Sequence, residues 1–306
     1  MNSVYSGREL KSITNLDDSI PWALINRPVD DIRSEPSRAS ERMSQGLLGE
    51  TARLIEVQGD WSYIRLERDG YMGWIHSAAL YPCSQAEIVS WQSACQAKVI
   101  AELMPAWPGD PTTQAGLRLM GKLPFGVCLP VEKLVGEYNL VRLPDGRAWW
   151  VKSSDLLALE QRPCPNGQGI SYALKLMQRF VGVPYLWGGR TPYGFDCSGF
   201  SQAFWDLMGI NLPRDSDLQY QAGLPVLGAP QPGDLLFFGE PDKDQPSQRF
   251  ASVSHVAISL GDDEIIHSNS AAWGVSYNSL NPRRPGYRAW LHEHLIGVRR
   301  FGVRAD

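Results

Sequence analysis

The amino-acid sequence predicts a module of mixed helix and strand preceded by two small all-β units, and three features carry that prediction. Cys197 stands directly ahead of an amphipathic run, with two histidines on one hairpin downstream. The first half instead holds short β-type runs parted by Gly and Asp turns. The order of turn and strand in that half occurs twice.

From the N-terminus, 1–28 reads as a lead segment and 29–82 as the first β unit. Its runs are Ala52-Arg53-Leu54-Ile55-Glu56-Val57, Trp61-Ser62-Tyr63-Ile64-Arg65-Leu66 and Gly70-Tyr71-Met72-Gly73-Trp74-Ile75. The second unit, 97–158, repeats the order with Gly126-Val127-Cys128-Leu129-Pro130-Val131, Tyr138-Asn139-Leu140-Val141-Arg142-Leu143 and Gly146-Arg147-Ala148-Trp149-Trp150-Val151. Both look like small bacterial SH3-like barrels. The stretch 83–96 reads as their linker, and 104–115, with three prolines, as an irregular loop of the second unit or a cover for the cleft. A second linker, 160–169, leads to a helix expected over 171–181 with Gly182 as its stop.

The catalytic module is expected over 168–306. Phe200, Ala203, Phe204, Leu207 and Met208 recur at helical spacing and Gly209 ends the run, so Cys197 falls in the first turn. The free N–H groups and dipole at a helix start favour an anion, which should push a thiol towards thiolate. His255 opens the run His255-Val256-Ala257-Ile258-Ser259-Leu260, a turn follows at Gly261-Asp262-Asp263, and Glu264-Ile265-Ile266-His267 returns. Such a hairpin brings the two imidazoles within reach of each other. One can then serve as base and the other can orient it.

Each part has a plainer reading. A cysteine before a helix is commonly a small buried hydrophobe, and a strand histidine a satisfied core residue. Metal ligation lacks support, because no CxxC, HxxxH or acidic partner at ligand spacing accompanies the histidines. Their conjunction with further words along the chain favours the nucleophile.

Those words are Pro184-Tyr185-Leu186-Trp187-Gly188-Gly189, Asp196-Cys197-Ser198-Gly199, Leu212-Pro213-Arg214-Asp215-Ser216, Pro232-Gly233-Asp234-Leu235-Leu236-Phe237-Phe238, Ser254-His255-Val256-Ala257-Ile258 and Ile266-His267-Ser268. In this order they resemble the NlpC/p60 family of bacterial cell-wall cysteine peptidases, from about residue 168 onward. The resemblance implies a papain-like α+β fold with Cys197 as nucleophile, His255 as base and His267 as orienting residue. It also implies that Tyr185 joins the Cys197 backbone N–H in the oxyanion hole.

Members with a barrel before the peptidase resemble enzymes that cut peptidoglycan stem peptides between γ-D-glutamate and the following diamino acid. There a barrel wall closes the cleft, so that a free N-terminal L-alanine is required. A buried ammonium needs carboxylate and hydroxyl partners. By that resemblance Glu35 and Tyr71 face the cleft from the barrel and Asp215 from the catalytic side, while Trp187, Asp196, Ser198, Arg214 and Ser216 line the γ-D-glutamyl site. Asp196 and Ser198 read equally well as helix caps.

Composition sets the outer limits. Net charge is −4, which gives no polyanion-seeking surface, so nucleic acid is not an expected partner. No apolar stretch approaches membrane-spanning length, and no cofactor or metal is expected. The opening residues lack an apolar signal core, and the five cysteines form an odd set without framework spacing, so a reducing cytoplasm and recycling of wall fragments are the expectation. Two other readings stay open: a non-catalytic binder of cell-wall peptides, and an amidase or acyltransferase on the same scaffold. Oligomeric state and the preferred diamino acid are not legible.

Overall fold

In the computed structural model, which describes residues 21–113, 119–240 and 252–302, the half-apolar runs of the first unit close one seven-stranded antiparallel sheet. The strands are β1 (Trp22–Ile25), β2 (Val29–Arg33), β3 (Arg42–Leu47), β4 (Thr51–Gln58), β5 (Trp61–Leu66), β6 (Met72–His76) and β7 (Leu80–Cys83), in the order β3-β2-β6-β5-β4-β1-β7. Ile25, Ile32, Ala52, Ile64, Leu66 and Ile75 fill its interior.

Two sequence expectations change here. β1, left in the lead segment, pairs with both β4 and β7, because its apolar Trp22-Ala23-Leu24-Ile25 is buried throughout. The stretch read as a linker is largely α1 (Gln85–Ala94), started by a capping box in which Ser84 and Glu87 satisfy each other's backbone N–H. Ile88 and Trp91 tie it to Trp22 and Leu24.

The second β unit contains β8 (Cys95–Val99), β9 (Leu103–Ala106), β10 (Gly121–Pro124), β11 (Cys128–Val135), β12 (Tyr138–Arg142), β13 (Ala148–Lys152) and β14 (Leu156–Ala158). Five strands form a sheet in the order β13-β12-β11-β8-β14, and β9 pairs with β10. The start of the proline-rich 104–115 stretch is therefore strand and not loop: Met104 and Ala106 alternate into the core with Leu123.

The third unit begins with α2 (Gly167–Met177), four residues earlier than expected because Asn166 caps it through the Gly169 N–H. A short hairpin, β15 (Arg190–Thr191) and β16 (Gly194–Phe195), leads into α3 (Cys197–Asp206); α4 (Ser216–Ala222) follows. Then come β17 (Leu224–Pro225), β18 (Leu235–Glu240), β19 (Ser252–Gly261), β20 (Glu264–Asn269), β21 (Gly274–Ser279), α5 (Ala289–Glu293) and β22 (Leu295–Arg300). The six strands order as β17-β22-β18-β19-β20-β21. Phe200 and Phe204 of α3 pack with Phe237, Val256 and Ile266, and that contact sets the cysteine helix across the sheet.

The three units are pinned to one another by charge. Glu50 of the first pairs with Arg190 of the third at 2.8 Å and with Arg68 at 3.0 Å, while Lys98 of the second pairs with Asp206 of α3 at 2.7 Å. Buried ions of this kind persist where each has an opposite partner. No helix among the described residues is long and apolar enough to cross a membrane.

Candidate active site

Cys197 opens α3 because Asp196 ends the preceding strand and caps the helix, accepting the Gly199 N–H at 2.7 Å. Glycine is required at 199, since a Cβ there would collide with the Gly189 carbonyl oxygen. The sulfur lies within hydrogen-bonding reach of the backbone N–H groups of Ser198 and of Val256, the residue after His255. All five cysteines are unpaired.

The expected resting thiolate is not what this setting favours. Burial, helped by the Asp196 carboxylate, pushes the Cys197 thiol up to about 12 against the pull of those N–H groups and Arg214. Desolvation of the anion outweighs the helix start.

The two histidines meet as the hairpin predicts. Asp262 and Asp263 both adopt positive φ in the turn, and β19 pairs with β20. His255 Nε2 lies 2.6 Å from His267 Nδ1. His267 Nε2 lies 2.9 Å from Asn278 Oδ1, and the Asn278 amide is oriented by donating to the Gly286 carbonyl. Asn269 Nδ2 also approaches His267 Nε2 at 3.0 Å, while donating to Ser276 Oγ. With His267 donating to Asn278, its Nδ1 accepts from His255, and Nδ1 of His255 keeps a lone pair. Burial drives the imidazolium of His267 down to about 4; burial and the neighbouring ring hold His255 well below its ordinary value. At neutral pH the centre therefore rests as neutral thiol and neutral imidazoles, and the nucleophile forms by proton transfer.

Tyr185 lines a cavity of about 440 Å³ with both histidines, and its backbone N–H donates to the Trp273 carbonyl. Asp196, Ser198 and Arg214 come together, though as a buried network beneath the helix start and not as an open wall. Arg214 donates to both Asp196 oxygens and to Ser198 Oγ, and its Nε donates to Ser44 of β3 at 3.0 Å. Of the two expected caps only Asp196 caps α3; Ser198 lies within the helix, where its hydroxyl joins Asp196 and Arg214.

Tyr71 and Asp215 face each other across the boundary of the first and third units. Burial, then Asp215, raises the Tyr71 phenol, and burial raises the Asp215 carboxyl to about 6 despite Arg214. Ser216 begins α4 beside Asp215 and is partly exposed. Trp187 is half exposed, and its indole N–H donates to Glu41 at 2.7 Å. Glu35 stands apart. Among the described residues its carboxylate has no hydrogen bond or ion pair, and from that loop Glu41 is the carboxylate that reaches the catalytic module.

Sequence reading missed Glu41, Asp69, Trp273, Asn278 and Arg288. Asp69 has a fully buried side chain and accepts from Gln202 of α3 at 3.1 Å. Trp273 is exposed and holds φ of 60°, a strained setting for a bulky residue beside a cleft. Asn278 had one available signal, its placement on the strand that follows His267. Among the described residues no group of three or more His, Cys, Asp or Glu side chains is arranged to hold a metal.

Residues 182–295 match the model of the NlpC/P60 family, and residues 32–80 match that of the bacterial dipeptidyl-peptidase SH3 domain. A gamma-D-glutamyl-L-lysine dipeptidyl-peptidase of Bacillus cereus is 29% identical over 280 residues, covering 87% of this chain and 77% of that protein. Its counterpart from Bacillus subtilis is 27% identical over 248 residues, with 78% and 75% covered. The crystal structure of an NlpC/P60 family protein from Bacillus cereus superposes with a TM-score of 0.76 at 24% identity, over 91% of this chain and 99% of that one. That likeness establishes the fold.

Proposed function

We propose that this chain, which carries an NlpC/P60 domain behind a bacterial dipeptidyl-peptidase SH3 domain, hydrolyses the γ-D-glutamyl-diamino acid bond of peptidoglycan stem peptides that begin with a free L-alanine. The observation that carries this reading is the proximity of Tyr71 and Asp215, which act on each other and on the Asp196–Arg214 group at the start of the cysteine helix. A hydroxyl and a carboxylate, partly desolvated together, suit an ammonium group. Names of the relatives support the same bond; murein peptide recycling in the cytoplasm is the setting we propose for it.

In this scheme the Cys197 thiol gives its proton to Nδ1 of His255 as the sulfur attacks the γ-carbonyl carbon. Tyr185 and the backbone N–H of Cys197 hold the oxyanion. Collapse breaks the C–N bond, and the His255 imidazolium returns its proton to the departing amine. Water, deprotonated by His255, then cleaves the thioester and regenerates the thiol, releasing L-Ala-γ-D-Glu. His267 keeps His255 in the competent tautomer.

We read the second β unit as a further SH3-like barrel, which places boundaries near 22–83, 95–158 and 167–302. Supporting this, a 3₁₀ turn precedes the last strand in both units, Ser77–Ala79 before β7 and Ser153–Asp155 before β14. Mass spectrometry of L-Ala-γ-D-Glu-L-Lys incubated with the protein tests the activity: the dipeptide L-Ala-γ-D-Glu should accumulate, and none should form with Cys197→Ala. Turnover by that variant, or cleavage at the alanyl bond, would exclude the scheme.

A further inference from the structure

In the proposed scheme the amine protonated by His255 departs beside that ring, so the cavity that His255 and His267 line is taken as the place for the leaving half of the substrate. Its lining includes Ser254, Asn269, Trp290 and Leu291; among the described residues its one permanently charged side chain is Arg288, and no carboxylate lines it. Arg288 is fixed at its backbone, where its N–H donates to the Ser279 carbonyl at 3.2 Å and Gly286 is strapped to Asn278 and Ser279. Its guanidinium is exposed and, among the described residues, has no ion pair, although its charge is felt at His267. Arg284, four positions earlier, pairs with Glu264.

The group around Tyr71 and Asp215, which the proposed function assigns to the substrate's amino end, is rich in carboxylates. Asp215, Asp196 and Asp69 act on Tyr71 there, and Asp217 on Asp215; Arg214, the cation among them, is ion-paired with Asp196. A ligand that matches both ends carries an ammonium at one terminus and a carboxylate in the departing residue.

We propose that Arg288 is a specificity-determining residue that binds a carboxylate of the departing diamino acid, over apolar walls of Trp290 and Leu291 suited to its methylene chain. This rests on the hydrolytic reading above and adds to it a requirement on the leaving half. An arginine fork is matched to a carboxylate and binds it in bidentate fashion. The carboxylate can be the α-carboxylate of a chain-terminal residue or the second carboxylate of diaminopimelate, and the same chemistry serves either.

The test compares kcat/KM for L-Ala-γ-D-Glu-L-Lys and L-Ala-γ-D-Glu-meso-diaminopimelate, each as free acid and as α-amide, in the wild type, Arg288→Gln and Arg288→Lys. The wild type should lose about tenfold or more when the recognised carboxylate is absent. Arg288→Gln should abolish that ratio and Arg288→Lys should restore part of it. Ratios between substrates within one enzyme are insensitive to a loss of folded protein. A penalty for amidation of both peptides identifies the α-carboxylate; a preference for the diaminopimelate amide over the lysine amide identifies the second one. If the wild type cleaves the peptides and the ratios are the same in Arg288→Gln, the role of Arg288 is wrong while the activity stands. If the wild type cleaves none of the four, the hydrolytic reading itself fails, and this inference with it.

Discussion

Nε2 of His255 lies 2.6 Å from Nδ1 of His267, so the pair is joined through Nε2 and leaves Nδ1 of His255 for the role the proposed scheme gives it. Asn278 extends the line from His267 Nε2 at 2.9 Å. Replacing His267 with Ala should therefore cost about 10²-fold in kcat, of the size general acid–base catalysis contributes. Asn278→Ala should cost less, and should lower kcat with little change in KM, as steady-state kinetics on the tripeptide will measure.

Because burial opposes ionisation of Cys197, its alkylation by iodoacetamide should be slow at pH 7 and climb steadily into alkaline solution. A rate already level near pH 6 would mean that the thiolate is preformed. Mass spectrometry of the modified peptide separates Cys197 from the other four cysteines.

Asp215 couples binding and stability with opposite signs. Its carboxyl is raised to about 6, so its contribution to stability is fully present below the unfolded value near 3.8 and is lost as pH rises through about 6. Asp215→Asn should then stabilise the protein at pH 7 by up to about 3 kcal/mol, seen in urea unfolding. The same variant should raise KM for a free tripeptide, and for the wild type KM should rise as pH falls below about 6.

Glu50 titrates the other way. Burial would raise it, but Arg190 and Arg68 outweigh burial and hold it at about 2. Its stabilisation is present above the ordinary carboxylate value near 4.5 and is lost as pH falls through about 2. Glu50→Gln should cost about 3 kcal/mol at neutral pH and flatten the acid limb of the unfolding curve.

Local patterns were legible where one physical rule dominates. The period of Phe200, Ala203 and Phe204 fixed the cysteine helix, and the Gly261-Asp262-Asp263 turn fixed the histidine hairpin. Pairing between distant segments was not: β1 becomes a strand because β4 and β7 flank it, and Arg214 is drawn inward by Ser44, a partner 170 positions away. The thiol's state was misjudged for a related reason. A helix start is visible in sequence, whereas the burial that opposes it arises from packing against β19. Arg288 and Asn278 carry no motif, and become visible when β21 and the chain before α5 meet beside the histidines.

The most direct measurement compares kcat/KM for L-Ala-γ-D-Glu-L-Lys with a free and with an acetylated N-terminus. A partly desolvated Tyr71–Asp215 end predicts that acetylation lowers kcat/KM at least tenfold and that Asp215→Asn narrows the gap. Equal cleavage of the two peptides would contradict the account.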